Sequence, residues 1–154
     1  MKKILLATTC VLLATVAACG SKAKPTGTTT TTTATVTAGP IDGTWVPVSE
    51  EMGGNPFPAE VVAAQKLTVT GNTYHAEAEN VDDGELKFDG NKIDMYSKSG
   101  ANEGKHFTAI YKLENGMLTI CYNLAGDSYP TEFESKSKPM LVLAVFKKVD
   151  AAAK

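Results

Sequence analysis

The sequence predicts an all-β domain of about eight antiparallel strands with one short helix, and three observations carry that reading. From Ile41 onward, apolar and polar residues alternate with period two over short segments. Turn-forming residues interrupt those segments at near-regular spacing, the pattern of an antiparallel barrel or sandwich. Residues 107–113 and 118–122 flank Asn115-Gly116, a pair suited to a primed turn, whose two central residues both need positive φ.

The first strand is expected over residues 44–49. Residues 58–65 follow, with Pro58 near the start and good helix formers after it, so they predict the helix. Strands are then expected at 66–70, 73–79, 85–89, 91–97, 107–113, 118–122 and 140–147, with breaks at Gly71-Asn72, Asp82-Asp83-Gly84 and Gly90-Asn91. By parity Phe107, Ala109, Tyr111 and Leu113 share one face, as do Leu118, Ile120, Tyr122 and Leu124, and these faces are the expected interior. The last strand is apolar on both faces. Its outer side needs a cover, and the apolar residues of the helix are expected to supply it.

The chain opens differently. Lys2 and Lys3 precede an apolar run that ends in Val16-Ala17-Ala18-Cys19. The run is shorter than the ~20 apolar residues a membrane span needs. An aliphatic residue three before a cysteine, with two small residues between, is the pattern of a bacterial lipoprotein signal. Residues 1–18 are therefore expected to be a signal peptide and Cys19 the lipidated N-terminus of the mature protein, anchored to a membrane of the cell envelope. Residues 19–39 include six consecutive threonines, 28–33, and almost nothing apolar. Such a segment cannot bury enough surface to offset its ordering entropy, and it is read as a disordered tether. Residues 40–150 form the expected domain, of a length that suits one core.

Composition excludes several functions. Without Lys2 and Lys3 the chain carries thirteen lysines against seventeen acidic residues, and it has no arginine. Nucleic acid is not an expected partner, since phosphate binding needs concentrated positive charge. Bidentate clamping of a carboxylate or phosphate by guanidinium is excluded as well. With Cys10 removed and Cys19 acylated, Cys121 is a lone thiol, expected to be buried and structural.

Gly43-Thr44-Trp45 in the first strand, followed by the meander, resembles the Gly-x-Trp opening of lipocalins. There the tryptophan closes the barrel floor and a basic residue of the final strand lies across it; Lys147, or Lys148, takes that part by this resemblance. A longer run of motifs is more specific: residues 41–45, Gly53-Gly54, Gly104-Lys105, residues 110–113 and 118–121, Pro130-Thr131-Glu132-Phe133 and the final apolar strand. In this order they are similar to an uncharacterised bacterial lipocalin-like family known mainly from planctomycetes. The resemblance spans about residues 41–149, implies an up-and-down barrel, and marks Cys121, Pro130, Thr131 and Phe133 as family positions. Tyr129 stands where that family usually has arginine. The family has no established activity, so the resemblance implies a fold and no reaction.

Little in the sequence points to catalysis or to metal. His75, Glu77 and Glu79 alternate on one strand face, a row read as a solvated outer surface, and no close pair of strong ligands has zinc spacing. Asp82-Asp83-Gly84-Glu85 lacks the spaced oxygens of a calcium loop and reads as a hairpin turn. There is no Gly-x-Ser-x-Gly elbow, and neither His75 nor His106 neighbours Cys121 in sequence. No cofactor is expected. An eight-stranded barrel has an interior just large enough for its side chains or one small molecule. Tyr74, Phe88, Met95, Phe107, Tyr111 and Tyr122 are the expected pocket wall, with Ala76, Ala78 and Ala109 as gaps between them. The leading expectation is a tethered binder of a small apolar or amphipathic ligand. The alternative is a filled barrel that binds a protein or glycan through loops around residues 97–104 and 125–131.

Overall fold

The computed structural model describes residues 37–149. Cys19, the expected signal peptide and most of the expected tether lie outside them. The strands are β1 (Gly43–Met52), a two-residue β2 (Asn55–Pro56), β3 (Lys66–Thr70), β4 (Thr73–Glu77), β5 (Asp82–Asp89), β6 (Lys92–Gly100), β7 (His106–Glu114), β8 (Met117–Asn123) and β9 (Leu141–Val149), with helix α1 (Ala59–Ala63) between β2 and β3. Each long strand pairs antiparallel with the next, and β1 also pairs with β9. The result is the closed eight-stranded up-and-down barrel. Closure removes the sheet edges that would otherwise offer unpaired backbone groups.

The Asn115-Gly116 turn has φ of 53° and 75° at its two central residues, as a primed hairpin requires. It sets Lys112 against Thr119 and Leu113 against Leu118. The inward set includes Trp45, Val69, Leu86, Ile93, Ala109, Leu118, Ile120, Ala144 and Phe146, all buried in one cluster.

Several expectations need correction. Helix α1 is a single short turn capped by Pro58, buries only Val62, and packs on β1. It does not cover the last strand. Residues 124–140, the connection from β8 to β9, provide a strap over neighbouring outward positions: the Cys121 thiol meets the Glu134 carbonyl, and Thr108 donates to the Ser128 carbonyl at 2.6 Å. Outward-facing Ile110, Cys121 and Asn123 are buried. Asp82-Asp83-Gly84 is the start of β5 and not a turn. Leu113, expected inside, is 49% exposed because it sits at the end of β7, beyond the core cluster. The first half of the expected loop at 97–104 is strand, since β6 continues to Gly100, and a four-residue turn leads from there toward β7.

Two bulges set which residues face inward. In β1 the pairing with β9 shifts between Pro47 and Ser49: Pro47 opposes Phe146 and Ser49 opposes Val145, leaving Val48 extra. Parity reverses there, so Glu50 and Met52, opposite Ala144 and Val142, join the inward face. In the β5–β6 pair, Gly84 opposes Ser97 and Asp83 opposes Ser99, leaving Lys98 extra. A Cβ on Gly84 would lie 2.6 Å from the Tyr74 ring and 2.2 Å from the Tyr96 carbonyl oxygen, so only glycine allows this approach.

Candidate functional site

The barrel interior divides along its axis. One end is packed solid. Trp45 is 1% exposed and donates its indole N–H to the Ile41 carbonyl at 2.8 Å. The Lys148 ammonium lies 5.3 Å from the centre of its ring. Gly43, with φ of 136°, leaves the room: a Cβ there would lie 2.5 Å from Cε of Lys148. Lys148, and not Lys147, takes the closing position, because Trp45 opposes Lys148 in register while Lys147 opposes Val46 on the other face.

The other end holds a cavity of about 350 Å³. It is reached from the ends of β1, β4, β6 and β8 and the starts of β3, β5, β7 and β9. Tyr74, Met95, Phe107 and Tyr122 form much of its wall, with Leu67, Val142 and Phe146. Ala76 and Ala78 supply the space between them, whereas Ala109 is fully buried in the core cluster and is not part of this wall. Phe88 and Tyr111 are not part of it either. They form an edge-to-face pair, ring centres 5.9 Å apart, toward the packed end. Alternation placed them on the correct face but says nothing about height along the barrel axis.

The polar groups of the cavity come mainly from positions that the sequence reading did not select. Glu50 faces inward because of the β1 bulge, and Gln65, just after α1, donates its amide N–H to Oε2 of Glu50 at 2.6 Å. Burial pushes the Glu50 carboxyl above its ordinary range, partly opposed by the Gln65 hydrogen bond. Asp82 is buried and accepts from Tyr74 Oη at 2.8 Å, Ser97 Oγ at 2.6 Å and the Asn102 backbone N–H at 3.2 Å. Burial, then the bond to Asp82, pushes the Tyr74 phenol well up. Tyr122 is likewise pushed up by burial and then by the charge of Glu50. Its hydroxyl makes no hydrogen bond among the described residues. Lys66 and Glu77 pair with one another beside the cavity.

A clue to Glu50 was present in the sequence. Proline cannot donate to a ladder, and a closed barrel has no edge strand, so Pro47 inside the first strand points to a bulge. For Asp82 the clue was Gly84, read as a turn residue when it marks a bulge and a ring-packing site.

The remaining positions gather on the outside. Tyr129 donates to Oδ2 of Asp94 at 2.8 Å, and Nε2 of His106 lies 2.8 Å from Oδ1. Burial pushes the Asp94 carboxyl up, but these two hydrogen bonds outweigh it and hold the group below its ordinary range. Lys92 lies 4.9 Å from the Tyr129 ring centre, and Lys112 lies 5.2 Å from that of Phe133. Pro130 is buried and Thr131 exposed on the same strap. Burial raises the pKa of Cys121, the direction opposite to that of a reactive thiolate. His75 is paired with Asp83 at 2.5 Å and with Glu77 at 3.5 Å. Among the described residues no three His, Cys, Asp or Glu side chains form a metal-holding group.

The fold and cavity together define a small closed β-barrel with a partly open interior. Compared with protein-family models and with curated proteins, the chain has no significant match to either.

Proposed function

We propose that this protein is a lipid-anchored lipoprotein of the bacterial cell envelope whose lipocalin-like barrel binds a small apolar or amphipathic molecule. The observation that carries the binding reading is the 350 Å³ cavity, walled by aromatic and aliphatic side chains with a few polar groups. Its volume lies in the ~300–1,000 Å³ range of small-molecule sites, and so does its mix of linings. A filled barrel working through its loops would leave no such space. Support for the anchor is the Val16-Ala17-Ala18-Cys19 pattern. The resemblance of the motif order to the planctomycete-type lipocalin-like family is the support for the class.

The test is solvent extraction of the full chain purified from its native membrane fraction, followed by mass spectrometry. A near-stoichiometric amphiphile that is absent from an Ala76→Phe variant is the expected result. An empty parent protein that also takes up none of a panel of apolar probes would overturn the binding reading. The intact mass tests the anchor separately: loss of the leader and gain of acyl chains on Cys19 is expected, and an unprocessed chain would refute it.

A further inference from the structure

We infer that the cavity is built for amphipathic ligands whose polar end is a protonated amine, with the Glu50 carboxylate as the counter-ion. The inference rests on the cavity being a binding site and adds the chemical class of its ligand.

The charge inventory is lopsided. Three carboxylates, Glu50, Glu77 and Asp82, line the cavity against one ammonium, Lys66. Lys66 is paired with Glu77, which leaves neither free to neutralise the interior. Asp82 already accepts three hydrogen bonds, from Tyr74, Ser97 and Asn102. Its oxygens are already occupied. Glu50 is different. Gln65 binds Oε2 only, and Oε1 has no donor among the described residues. The free Tyr122 hydroxyl lines the same cavity as a second polar group without a protein partner. The Glu50 carboxylate thus shares a largely apolar cavity with Phe57, Leu67, Phe146 and Val142 and keeps one oxygen without a protein donor among the described residues, an arrangement that a ligand cation would complete.

This arrangement selects by sign. A fatty-acid carboxylate would place a second negative charge beside Glu50, and an alcohol would supply one neutral hydrogen bond. An ammonium supplies charge-assisted donors, to Oε1 of Glu50 and to the Tyr122 oxygen, while its hydrocarbon part occupies the aromatic wall. The volume suits this. An engineered cavity of ~150 Å³ accepts benzene, so a space of 350 Å³ accommodates a medium-length alkyl chain or a substituted ring.

Calorimetric titration of the full chain with octylamine, octanol and octanoate at neutral pH tests the inference, the tail being constant and only the head changing. Each isotherm is referenced to Ala76→Phe, so that binding outside the cavity is subtracted. Octylamine is expected to bind at least about tenfold more tightly than either partner, and Glu50→Gln is expected to remove that advantage while octanol affinity stays within threefold. Equal affinities, a preference for octanoate, or an amine advantage that survives Glu50→Gln would overturn the amine inference and leave the cavity as a general apolar site. No cavity-dependent binding of any of the three would overturn the binding reading itself. Should Glu50→Gln fail to fold, the head-group ranking on the parent protein decides alone.

Discussion

Gly43, Trp45 and Lys148 close one end of the barrel, and each does so through a separate physical property. The glycine contributes the absence of a Cβ and a positive φ, the indole contributes buried area and an N–H donor, and the lysine lays an ammonium over the ring. Gly43→Ala is therefore expected to cost about 1–3 kcal/mol, since it combines an unfavourable φ with a clash against Lys148. Lys148→Ala should cost ~0.5–1 kcal/mol, the range of an exposed cation–π contact, and Lys147→Ala should stay within ~0.5 kcal/mol as a plain surface change. Urea midpoints of the three variants test both expectations. A larger loss for Lys147 than for Lys148 would reverse the assignment. Glu50 illustrates the opposite case, a residue that weakens the fold it belongs to. Its folded-state pKa is raised by burial from 4.5, so ionisation costs more in the native state than in the unfolded chain. Its contribution is fully present below the unfolded value and is lost as pH rises through the folded one. Glu50→Gln is accordingly expected to raise Tm at pH 8, with the gain shrinking as pH falls toward 4. A gain that grows on acidification would contradict the sign of the shift.

At the level of elements, the strands were legible because each has one face in the core and one outside, which writes period two into the sequence. The hairpin of β7 and β8 could be read to the residue, since Asn115-Gly116 fixes both turn type and register. What alternation cannot express is a bulge, where one extra residue reverses the pattern. Val48 does this in β1, and Glu50 turns inward against the parity that the residues before it set. Nor can alternation identify a cover. Ile110, Cys121 and Asn123 are outward by parity yet buried, because residues 124–140 lie across them without any periodic signal of their own. That strap is held by discrete polar contacts. Asn123 donates to the Ser128 carbonyl at 2.8 Å, Tyr129 donates to Asp94, and Ser135 donates to Glu51 at 2.6 Å while accepting from the Gly54 N–H at 3.0 Å. Tyr129→Phe removes a hydrogen bond to a charged acceptor and is expected to lower the urea midpoint. Because the strap shields the Cys121 thiol, the same variant is expected to accelerate alkylation of Cys121 several-fold under native conditions, read by peptide mass spectrometry. Unchanged labelling with unchanged stability would mean that the strap does not depend on this contact.

For the whole molecule, closure into eight strands leaves a fixed interior volume, and the sequence spends it unevenly. Bulky side chains around Trp45, Ile93, Leu118 and Ile120 fill one end, while Ala76 and Ala78 with inward carboxylates leave space at the other. Composition does not distinguish the ends, because alanine serves both: Ala109 is fully buried between neighbours in the packed half, and Ala76 borders the cavity. Only the register, which sets Ala109 against Ile93 and Tyr122 but Ala76 against Leu67 and Asp82, separates the two. The same substitution at both positions therefore measures the division directly. Ala109→Phe forces a ring into a space already occupied and should cost at least the ~1–3 kcal/mol of overpacking. Ala76→Phe places its ring in the 350 Å³ cavity, where it gains apolar contacts with Phe107 and Val142 and displaces nothing covalently fixed. It is expected to leave stability unchanged or raised while abolishing uptake of an apolar probe. Chemical denaturation of both variants, with probe binding followed in parallel, reads the two effects. Equal destabilisation by both substitutions would mean that the barrel is filled from end to end, and that its space is not available to a ligand.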